Sequence, residues 1–281
     1  MNSSIKTQTG FAHLTDLPCI SLQYGNATAV VSLYGAQVLS YQATTGQDTL
    51  WLSPLAQWHN QTPIRGGVPV CWPWFGPADN KVNPNLASLP NHGVVRTAMW
   101  QLKSQHADDK AACVVLETTV DNLPHYQGRI TLQLQVSLTN TLSINLRCDT
   151  PLLQQAALHS YFATSSLANT QVQPLPAQYA DKVSATVVAA SSDRAEFNAE
   201  VDRVYSATAG ELTILNGTKE VKLTQSGHDA SVVWNPWLKR SKQIGDLADD
   251  SYLQFICVET ARLQLNTAAA LDMTQQINAL C

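Results

Sequence analysis

The chain has 281 residues, of which 44% are hydrophobic and 14% are charged, against about 25% charged residues in a typical soluble protein. This balance allows a large core and excludes a disordered chain. The net charge of −4 gives no general attraction to nucleic acid or to anionic membranes, and no segment approaches the ~20 apolar residues of a transmembrane helix. We therefore predict a soluble cytoplasmic protein without nucleic-acid or membrane partners.

Two segments in the middle of the chain show the pattern that dominates the sequence. Residues 130–138 (ITLQLQVSL) and 142–146 (LSINL) alternate apolar and polar side chains, which is typical of strands with one buried face. Gly, Asn, Asp and Pro separate further segments of this kind. These are residues 20–22, 29–33, 111–118, 211–215, 221–223 and 253–258.

Helical patterns are rare, and residues 241–248 are the best candidate for a short helix. Strands do not alternate with helices, which argues against a nucleotide-binding parallel sheet. Residues 174–200 are less patterned and suggest a long excursion, but no repeat or linker divides the chain. The sequence therefore predicts an all-β, mainly antiparallel β-sandwich with few short helices, in one domain spanning residues 1–281.

The cysteines are widely scattered and include no C-x-x-C pair. This spacing argues against a zinc knuckle and against a disulfide-rich secreted scaffold, so we predict reduced thiols and no metal site. Cys71 and Cys257 lie in apolar runs, where a cysteine usually acts as a small buried hydrophobe. The six are Cys19, Cys71, Cys113, Cys148, Cys257 and Cys281.

Residues 65–77 (RGGVPVCWPWFGP) combine glycines, prolines and aromatic residues. This composition favours a rigid irregular wall over a regular strand or helix, and the paired glycines would let backbone approach a ligand closely. Trp72, Trp74 and Phe75 have flat apolar faces that suit a sugar ring or the core equally well.

The segment 91–96 (NHGVVR) precedes a strand-like run, so we expect His92 and Arg96 to project from the beginning of a strand. The planar donors of arginine suit phosphate or carboxylate groups, which makes Arg65 and Arg96 candidates for an anion site. Each arginine taken alone is more commonly a surface ion-pair partner.

Three further residues stand in suggestive positions. His159 lies in an apolar run (AALHSYF), where a single histidine is most often a hydrogen-bonded core residue. Glu259 lies in FICVET, where burying a carboxylate is costly unless it has partners. Asp202, next to Arg203 in VDRVY, either forms a surface ion pair or accepts hydrogen bonds from sugar hydroxyls. The basic segment after VVWNPW (LKRSK) is either a solvated loop, which is the default interpretation, or a basic rim over an anionic group.

Taken in order, the motifs RGGVPVCWPWFGP, NHGVVR, LHSYF, VDRVY, VVWNPW and FICVE resemble the glucose-6-phosphate 1-epimerase family. These D-hexose-6-phosphate mutarotases belong to the aldose epimerase group of galactose mutarotase-like proteins. The resemblance covers residues 35–265 approximately, and it implies a large galactose mutarotase-like β-sandwich with an open sugar groove on one concave sheet.

The resemblance also implies roles for individual residues. His159 and Glu259 take the places of the catalytic histidine and glutamate, and Arg65 and Arg96 take the places of residues that hold the substrate, with the phosphate as target. The sugar-contacting positions are Asn91, His92 and Asp202. Asn91 stands where a longer glutamine is frequent, and Thr260-Ala261 stands where Pro-Gly is frequent, while His159 and Glu259 match the family pattern.

The implied reaction opens the sugar ring and closes it again. In this hypothesis Glu259 removes the C1 hydroxyl proton and His159 protonates the ring oxygen, from opposite sides of the sugar, with mutual attraction raising the pKa of His159. It needs no metal and no cofactor, and we expect a monomer acting on a small hexose 6-phosphate. Alternatives are a mutarotase for unphosphorylated aldoses, a non-catalytic carbohydrate-binding module and, last, a glycoside hydrolase, which usually needs two carboxylates.

Overall fold

The computed structural model describes residues 2–280, and strands account for most of them. The strands of the first half are β1 (Ser3–Phe11), β2 (Leu14–Tyr24), β3 (Ala27–Ser32), β4 (Val38–Gln42), β5 (Val70–Cys71), β6 (Gln101–Ala107), β7 (Ala112–Leu123), β8 (Tyr126–Leu138) and β9 (Leu142–Leu152). They are followed by β10 (Ala156–Leu158), β11 (Tyr161–Ala163), β12 (Thr170–Gln173), β13 (Gln178–Asp181), β14 (Thr186–Ala189) and β15 (Ala195–Glu196). The last are β16 (Val201–Ser206), β17 (Glu211–Asn216), β18 (Lys219–Ser226), β19 (Ala230–Asn235), β20 (Phe255–Arg262) and β21 (Ala269–Leu280).

These strands form three antiparallel sheets. The four-stranded sheet has the order β1-β2-β3-β4. The eight-stranded sheet has the order β14-β13-β16-β19-β20-β10-β5, with β11 also paired to β20. The nine-stranded sheet has the order β15-β12-β17-β18-β21-β9-β8-β7-β6. The predicted all-β, antiparallel fold is confirmed.

Alternating burial sets which face of each strand meets the core. In β8, Ile130, Leu132 and Leu134 are buried, whereas the intervening Thr131 and Gln133 are more exposed. This is the period-two pattern of the sequence, because successive side chains of a strand point to opposite faces. The other segments predicted as strands also lie in strands for most of their length.

The main hydrophobic cluster lies between the sheets. It joins side chains of all three sheets, among them Ile20, Leu134, Val258 and Ile277. A core shared in this way supports the single domain predicted for residues 1–281, which stays a prediction.

Two local expectations were wrong. A helix was predicted at residues 241–248, but the helix α1 lies earlier, at Trp237–Ser241. It starts directly after Pro236, a residue that favours the beginning of a helix. The residues that follow α1 form turns around Gly245. Residues 91–96 do not begin a strand but form a turn with positive φ at His92 and Gly93. Two short 3-10 helices, Leu167–Asn169 and Ser251–Leu253, complete the helical residues described.

Five of the cysteines are free thiols in the described chain, as the sequence predicts, and Cys71 and Cys257 are fully buried. Cys281 lies outside the described residues. Within residues 2–280 no helix is long and apolar enough to cross a membrane.

Candidate active site

A cleft of about 820 Å³ lies on the face of the eight-stranded sheet that points away from the shared core. In β20 the alternation sends Val258 into the core and Glu259 into the cleft. In β19 it does the same with Val233 and Trp234. The floor of the cleft is therefore one face of a regular sheet.

All seven residues to which the resemblance assigns a catalytic or substrate-binding role line this cleft. They are Arg65, Asn91, His92, Arg96, His159, Asp202 and Glu259. The structure thus brings together positions that span almost 200 residues of sequence, while the role of each stays a prediction.

His159 and Glu259 face each other across neighbouring strands. Leu158 pairs with Thr260 and Tyr161 pairs with Cys257, so this register puts His159 directly opposite Glu259. The atoms His159 Nε2 and Glu259 Oε1 lie 3.3 Å apart. Both residues are buried, with exposed fractions of 7% for His159 and 1% for Glu259.

Burial shifts both members of this pair towards their neutral forms. It raises the pKa of Glu259 well above the ordinary value, with Asp202 adding to the effect and Arg96 opposing it. It lowers the pKa of His159 well below the ordinary value, and His92 and Arg96 lower it further. The expectation that Glu259 would raise the pKa of His159 was therefore wrong, because the loss of hydration, together with His92, Arg96 and Arg65, lowers it.

Two atoms of the pair have no hydrogen-bond partner. Glu259 Oε2 and His159 Nδ1 are buried and unpaired among the described atoms. A buried polar atom without a partner costs about 1–3 kcal/mol, so both are places where a ligand group would be stabilising.

Arg65 supports the histidine through a tyrosine. The rings of His159 and Tyr161 stack with centroids 5.0 Å apart and planes 12° apart. Arg65 Nη1 donates to the Tyr161 hydroxyl at 3.0 Å, and Arg65 Nε pairs with Asp246 Oδ1 at 3.0 Å. Arg65 therefore already has two partners in the protein, unlike an arginine that is free to bind an anionic ligand.

Arg96, in contrast to Arg65, has no such partners. It is 8% exposed, its Nε has no hydrogen-bond partner, and it forms no ion pair within residues 2–280. Because an unpaired buried guanidinium is costly, an anionic ligand group would stabilise it.

His92 is held as a neutral hydrogen-bond donor. Its amide donates to Gly76 O at 2.8 Å, and the Gly76 amide donates to His92 Nδ1 at 3.3 Å. The ring proton must then be on Nε2. Burial, with help from Arg96 and Arg65, lowers the pKa of His92 to about 3, so the ring stays uncharged at neutral pH.

The remaining predicted contacts differ in burial. Asp202 is partly buried on β16, and burial raises the pKa of its carboxyl. Asn91 is exposed at the rim. Phe75 lines the cleft, whereas Trp72 and Trp74 are fully buried and donate their indole N–H groups to Gln154 and to the Pro90 carbonyl. Of the three aromatic residues, only Phe75 is placed to meet a sugar.

Several residues that line the cleft or contact its residues were missed by the sequence analysis. Tyr161 had a usable signal, since it lies two positions after His159 and therefore shares its face of the chain. Asp246 had none, because its contact with Arg65 joins two loops far apart in sequence. Two charged residues that line the cleft, Lys182 and Glu200, were also missed, whereas Arg240 belongs to the basic segment for which a rim over an anionic group was the alternative interpretation.

Comparison with known proteins agrees with this geometry. A sequence profile of the family described as Aldose 1-epimerase matches residues 18–272. The chain belongs to the aldose 1-epimerase family. Within the described residues no group of three metal-ligating side chains occurs, and the family assignment does not depend on one.

Relatives of this aldose 1-epimerase family member cover most of its length. A protein of Escherichia coli K12 described as "Putative glucose-6-phosphate 1-epimerase" is 33% identical over 254 residues, which is 88% of this chain and 84% of the relative. A protein of Salmonella typhimurium with the same description is 32% identical over 252 residues, with the same coverages.

Solved structures match the fold closely. The crystal structure of a "putative mutarotase" from Salmonella typhimurium has a TM-score of 0.87 and 29% identity, covering 98% of this chain and 96% of that one. Galactose 1-epimerase from Lactobacillus acidophilus has a TM-score of 0.75 and 15% identity, covering 99% and 98%. The second match shows the fold alone, and together they confirm the galactose mutarotase-like β-sandwich.

Proposed function

We propose that this protein interconverts the α and β anomers of a hexose 6-phosphate, with glucose 6-phosphate as the leading substrate. The observation that carries the proposal is the pair His159 and Glu259, with Nε2 and Oε1 3.3 Å apart on the floor of a cleft rich in cationic side chains. Family membership supports a mutarotase activity, and the phosphorylated substrate is the finer part of the proposal.

The geometry suits two oxygens on one carbon. Ring opening takes the proton from the C1 hydroxyl and gives one to the ring oxygen, and both oxygens are bonded to C1. His159 Nε2 and Glu259 Oε1 are within hydrogen-bonding reach of each other. They can therefore contact the C1 hydroxyl and the ring oxygen at the same time only if both approach from one side of the sugar. The cross-strand register puts His159 and Glu259 next to each other, so this proposal has them act from one side of the sugar, in place of the opposite sides expected from the sequence.

One proton shared by the pair is enough for a full cycle. Burial favours protonated Glu259 beside neutral His159 in the free protein. Transfer of that proton to His159 Nε2 produces a carboxylate base and an imidazolium acid. Glu259 then takes the C1 hydroxyl proton, the C1–O5 bond breaks to form the aldehyde, and His159 protonates O5. Rotation about C1–C2 and reversal of these steps closes the other anomer, with the proton count of the pair restored.

The charge of the cleft supports an anionic substrate. Four cationic side chains line it against three carboxylates, and the raised pKa of Glu259 reduces the negative charge further. The whole chain has a net charge of −4, so positive charge is concentrated at this cleft. The cations are Arg65, Arg96, Lys182 and Arg240. Among them, the unpaired Arg96 is our leading phosphate ligand, because Arg65 is already held by Asp246 and Tyr161.

The other predicted contacts fit the sugar itself. His92 offers an Nε2–H donor and Asp202 a carboxylate acceptor, which are the two kinds of group that sugar hydroxyls require. Asn91, exposed at the rim, contributes least to this proposal. Monomeric state and cytoplasmic location stay predictions.

Magnetisation-exchange NMR between the anomers of glucose 6-phosphate, run beside free glucose and galactose, tests the proposal. Wild type should speed the exchange, and Glu259→Gln should slow it by about 10²–10⁴-fold because a positioned proton transfer is lost. Binding without catalysed exchange would indicate a carbohydrate-binding module instead, and near-normal exchange in Glu259→Gln would refute the acid/base pair.

The phosphate assignment needs its own comparison. Arg96→Ala should raise KM for glucose 6-phosphate far more than KM for a free hexose. Arg129→Ala is the matched control, because its ion pair with Asp121 is exposed and lies outside the cleft. An unchanged preference for the phosphorylated sugar in Arg96→Ala would contradict the assignment.

A further inference from the structure

A chain of hydrogen-bonded polar side chains crosses the otherwise apolar core behind the acid/base pair. The Ser160 hydroxyl donates to Gln275 Oε1. Gln275 Nε2 donates to Thr260 Oγ1 at 2.9 Å, and the Thr260 hydroxyl donates to Gln225 Oε1 at 3.0 Å. The four side chains are almost completely buried, with exposed fractions of 4% for Gln225 and 0% for the others.

The position of this network relative to the cleft is specific. Ser160 directly follows His159, and Thr260 directly follows Glu259. Because successive side chains of an extended chain point to opposite faces, the acid and the base face the cleft while their neighbours face the core. Each catalytic candidate is thus followed by a polar residue anchored in the interior.

Both anchors attach to the opposite sheet at one place. Gln225 of β18 and Gln275 of β21 are directly opposite each other in the nine-stranded sheet. Their neighbours on the same inner face, including Leu223, Met273 and Ile277, belong to the main hydrophobic cluster. The two glutamines are therefore exceptions in an apolar layer, placed where the eight-stranded sheet carries its acid/base pair.

The single amide of Gln275 holds both anchors. Its oxygen accepts from Ser160 and its nitrogen donates to Thr260, so the two backbones are held at a spacing set by one planar group. Apolar side chains would fill this space without selecting a spacing, whereas a buried polar group is tolerated only when its bonds are made. Gln225 is held independently, since it also exchanges hydrogen bonds with Ser231 at 2.8 and 3.1 Å.

We propose that Gln275 is a positioning residue for catalysis, which sets the separation of His159 and Glu259 by holding Ser160 and Thr260. This inference rests on the proposed function. Gln275 touches neither the cleft nor the substrate and acts only through the two anchors. A displacement of reacting groups by about 1 Å can cost on the order of 100-fold in rate, so a small change in spacing is sufficient to matter.

The decisive variant removes the network without leaving unpaired groups. In Ser160→Ala/Thr260→Val/Gln275→Leu all three polar groups are replaced together, and Gln225 keeps its bonds to Ser231. Replacing all partners by apolar groups of similar shape is nearly neutral for stability. We expect a melting temperature near that of wild type, a kcat reduced about 10- to 100-fold and a nearly unchanged KM.

Ile277→Val is the matched control, because it lies on the same strand and the same inner face as Gln275 but makes no side-chain hydrogen bond. It should cost about 0.5–1.5 kcal/mol of stability and leave kcat unchanged. A triple variant with wild-type kcat would overturn the proposal, as would a kcat loss in Ile277→Val as large as that of the triple variant. If the triple variant does not fold, Ser160→Ala alone should lower kcat at constant KM, and wild-type kcat there would also overturn it.

A measurement independent of turnover separates this proposal from the proposed function. The imidazole NMR signals of His159 should change position and pH response in the triple variant but not in Ile277→Val. Wild-type protein that exchanges no anomers would refute the proposed function, and these signals would still decide the positioning role. Identical His159 signals in wild type and triple variant would refute the positioning role of Gln275.

Discussion

Replacement of Glu259 by glutamine should slow exchange by about 10²–10⁴-fold and at the same time make the protein more stable near neutral pH. Glutamine has the shape of glutamate and offers His159 Nε2 either a donor or an acceptor, so the contact at 3.3 Å can be kept. What disappears is a carboxyl group that is 1% exposed and has one oxygen without a partner. The variant therefore measures separately what the carboxyl group costs in stability and what it contributes to anomer exchange.

The direction follows from the raised pKa of Glu259. Below its ordinary pKa the carboxyl group is protonated in both the folded and the unfolded chain, and its ionisation does not affect stability. As the pH rises, the unfolded chain releases the proton first while the folded chain still holds it, which favours unfolding. The penalty grows until the folded pKa is reached, and each unit by which that pKa is raised corresponds to about 1.4 kcal/mol.

We therefore expect Glu259→Gln to gain on the order of 1–3 kcal/mol at neutral pH, because the glutamine amide has no proton whose retention favours unfolding as the pH rises. For a chain of this size each kcal/mol shifts the melting temperature by about 2–4 °C. Urea and thermal unfolding from about pH 4 to about pH 8 should show the advantage of the variant growing with pH and vanishing at the acidic end.

A loss of stability in Glu259→Gln at neutral pH would refute this reasoning. It would mean that the carboxylate and the imidazolium form a stabilising ion pair in the folded state, contrary to the neutral pair that burial favours. Because His159 Nε2 lies 3.3 Å from Glu259 Oε1, the difference between variant and wild type reports the pair and not Glu259 alone.

Two further predictions concern the loop that carries His92. The imidazole NMR signals of His92 should not titrate between about pH 8 and about pH 5, where an unperturbed histidine gains its proton, because burial lowers its pKa to about 3; a midpoint near 6.5 would contradict this. Gly93→Ala should prevent accumulation of folded protein, since its Cβ would lie 1.8 Å from Trp72 O at a φ of +81°. Gly76→Ala, with a φ of +67° and open space, should cost only about 1–2 kcal/mol in chemical denaturation, and equal losses in the two variants would contradict the steric argument.

The fold was predictable where the signal is local. Alternation of apolar and polar residues identifies β8 and β9 because one face of each strand meets the core along its whole length. The loop at 91–96 carries no such pattern. Its path depends on the backbone of Gly93 meeting that of Trp72, a contact between separate segments that apolar spacing does not report.

The candidate site was predictable through its motifs more than through its chemistry. A histidine in an apolar run is ordinarily a core residue, and nothing local indicates that His159 would lie opposite Glu259, exactly one hundred positions later. That proximity is a product of strand register. The polarity of Gln275 was a visible signal, since it interrupts the apolar series Leu271, Met273 and Ile277, but its partners were not.

Strand register also explains why the polar anchors and the catalytic candidates occur as adjacent pairs. A shift of one residue would exchange the two faces of a strand, burying His159 or Glu259 in the core and moving Ser160 or Thr260 to the cleft. The apolar residues alone oppose that shift, but a shift by two residues would keep their alternation intact. The hydrogen bonds of Gln275 fail in both cases, because neither shift returns a hydroxyl to each end of its amide. The hydrogen bonds of Gln275 are thus compatible with the register in which His159 and Glu259 face each other and not with a shift by two residues, which apolar packing alone would allow.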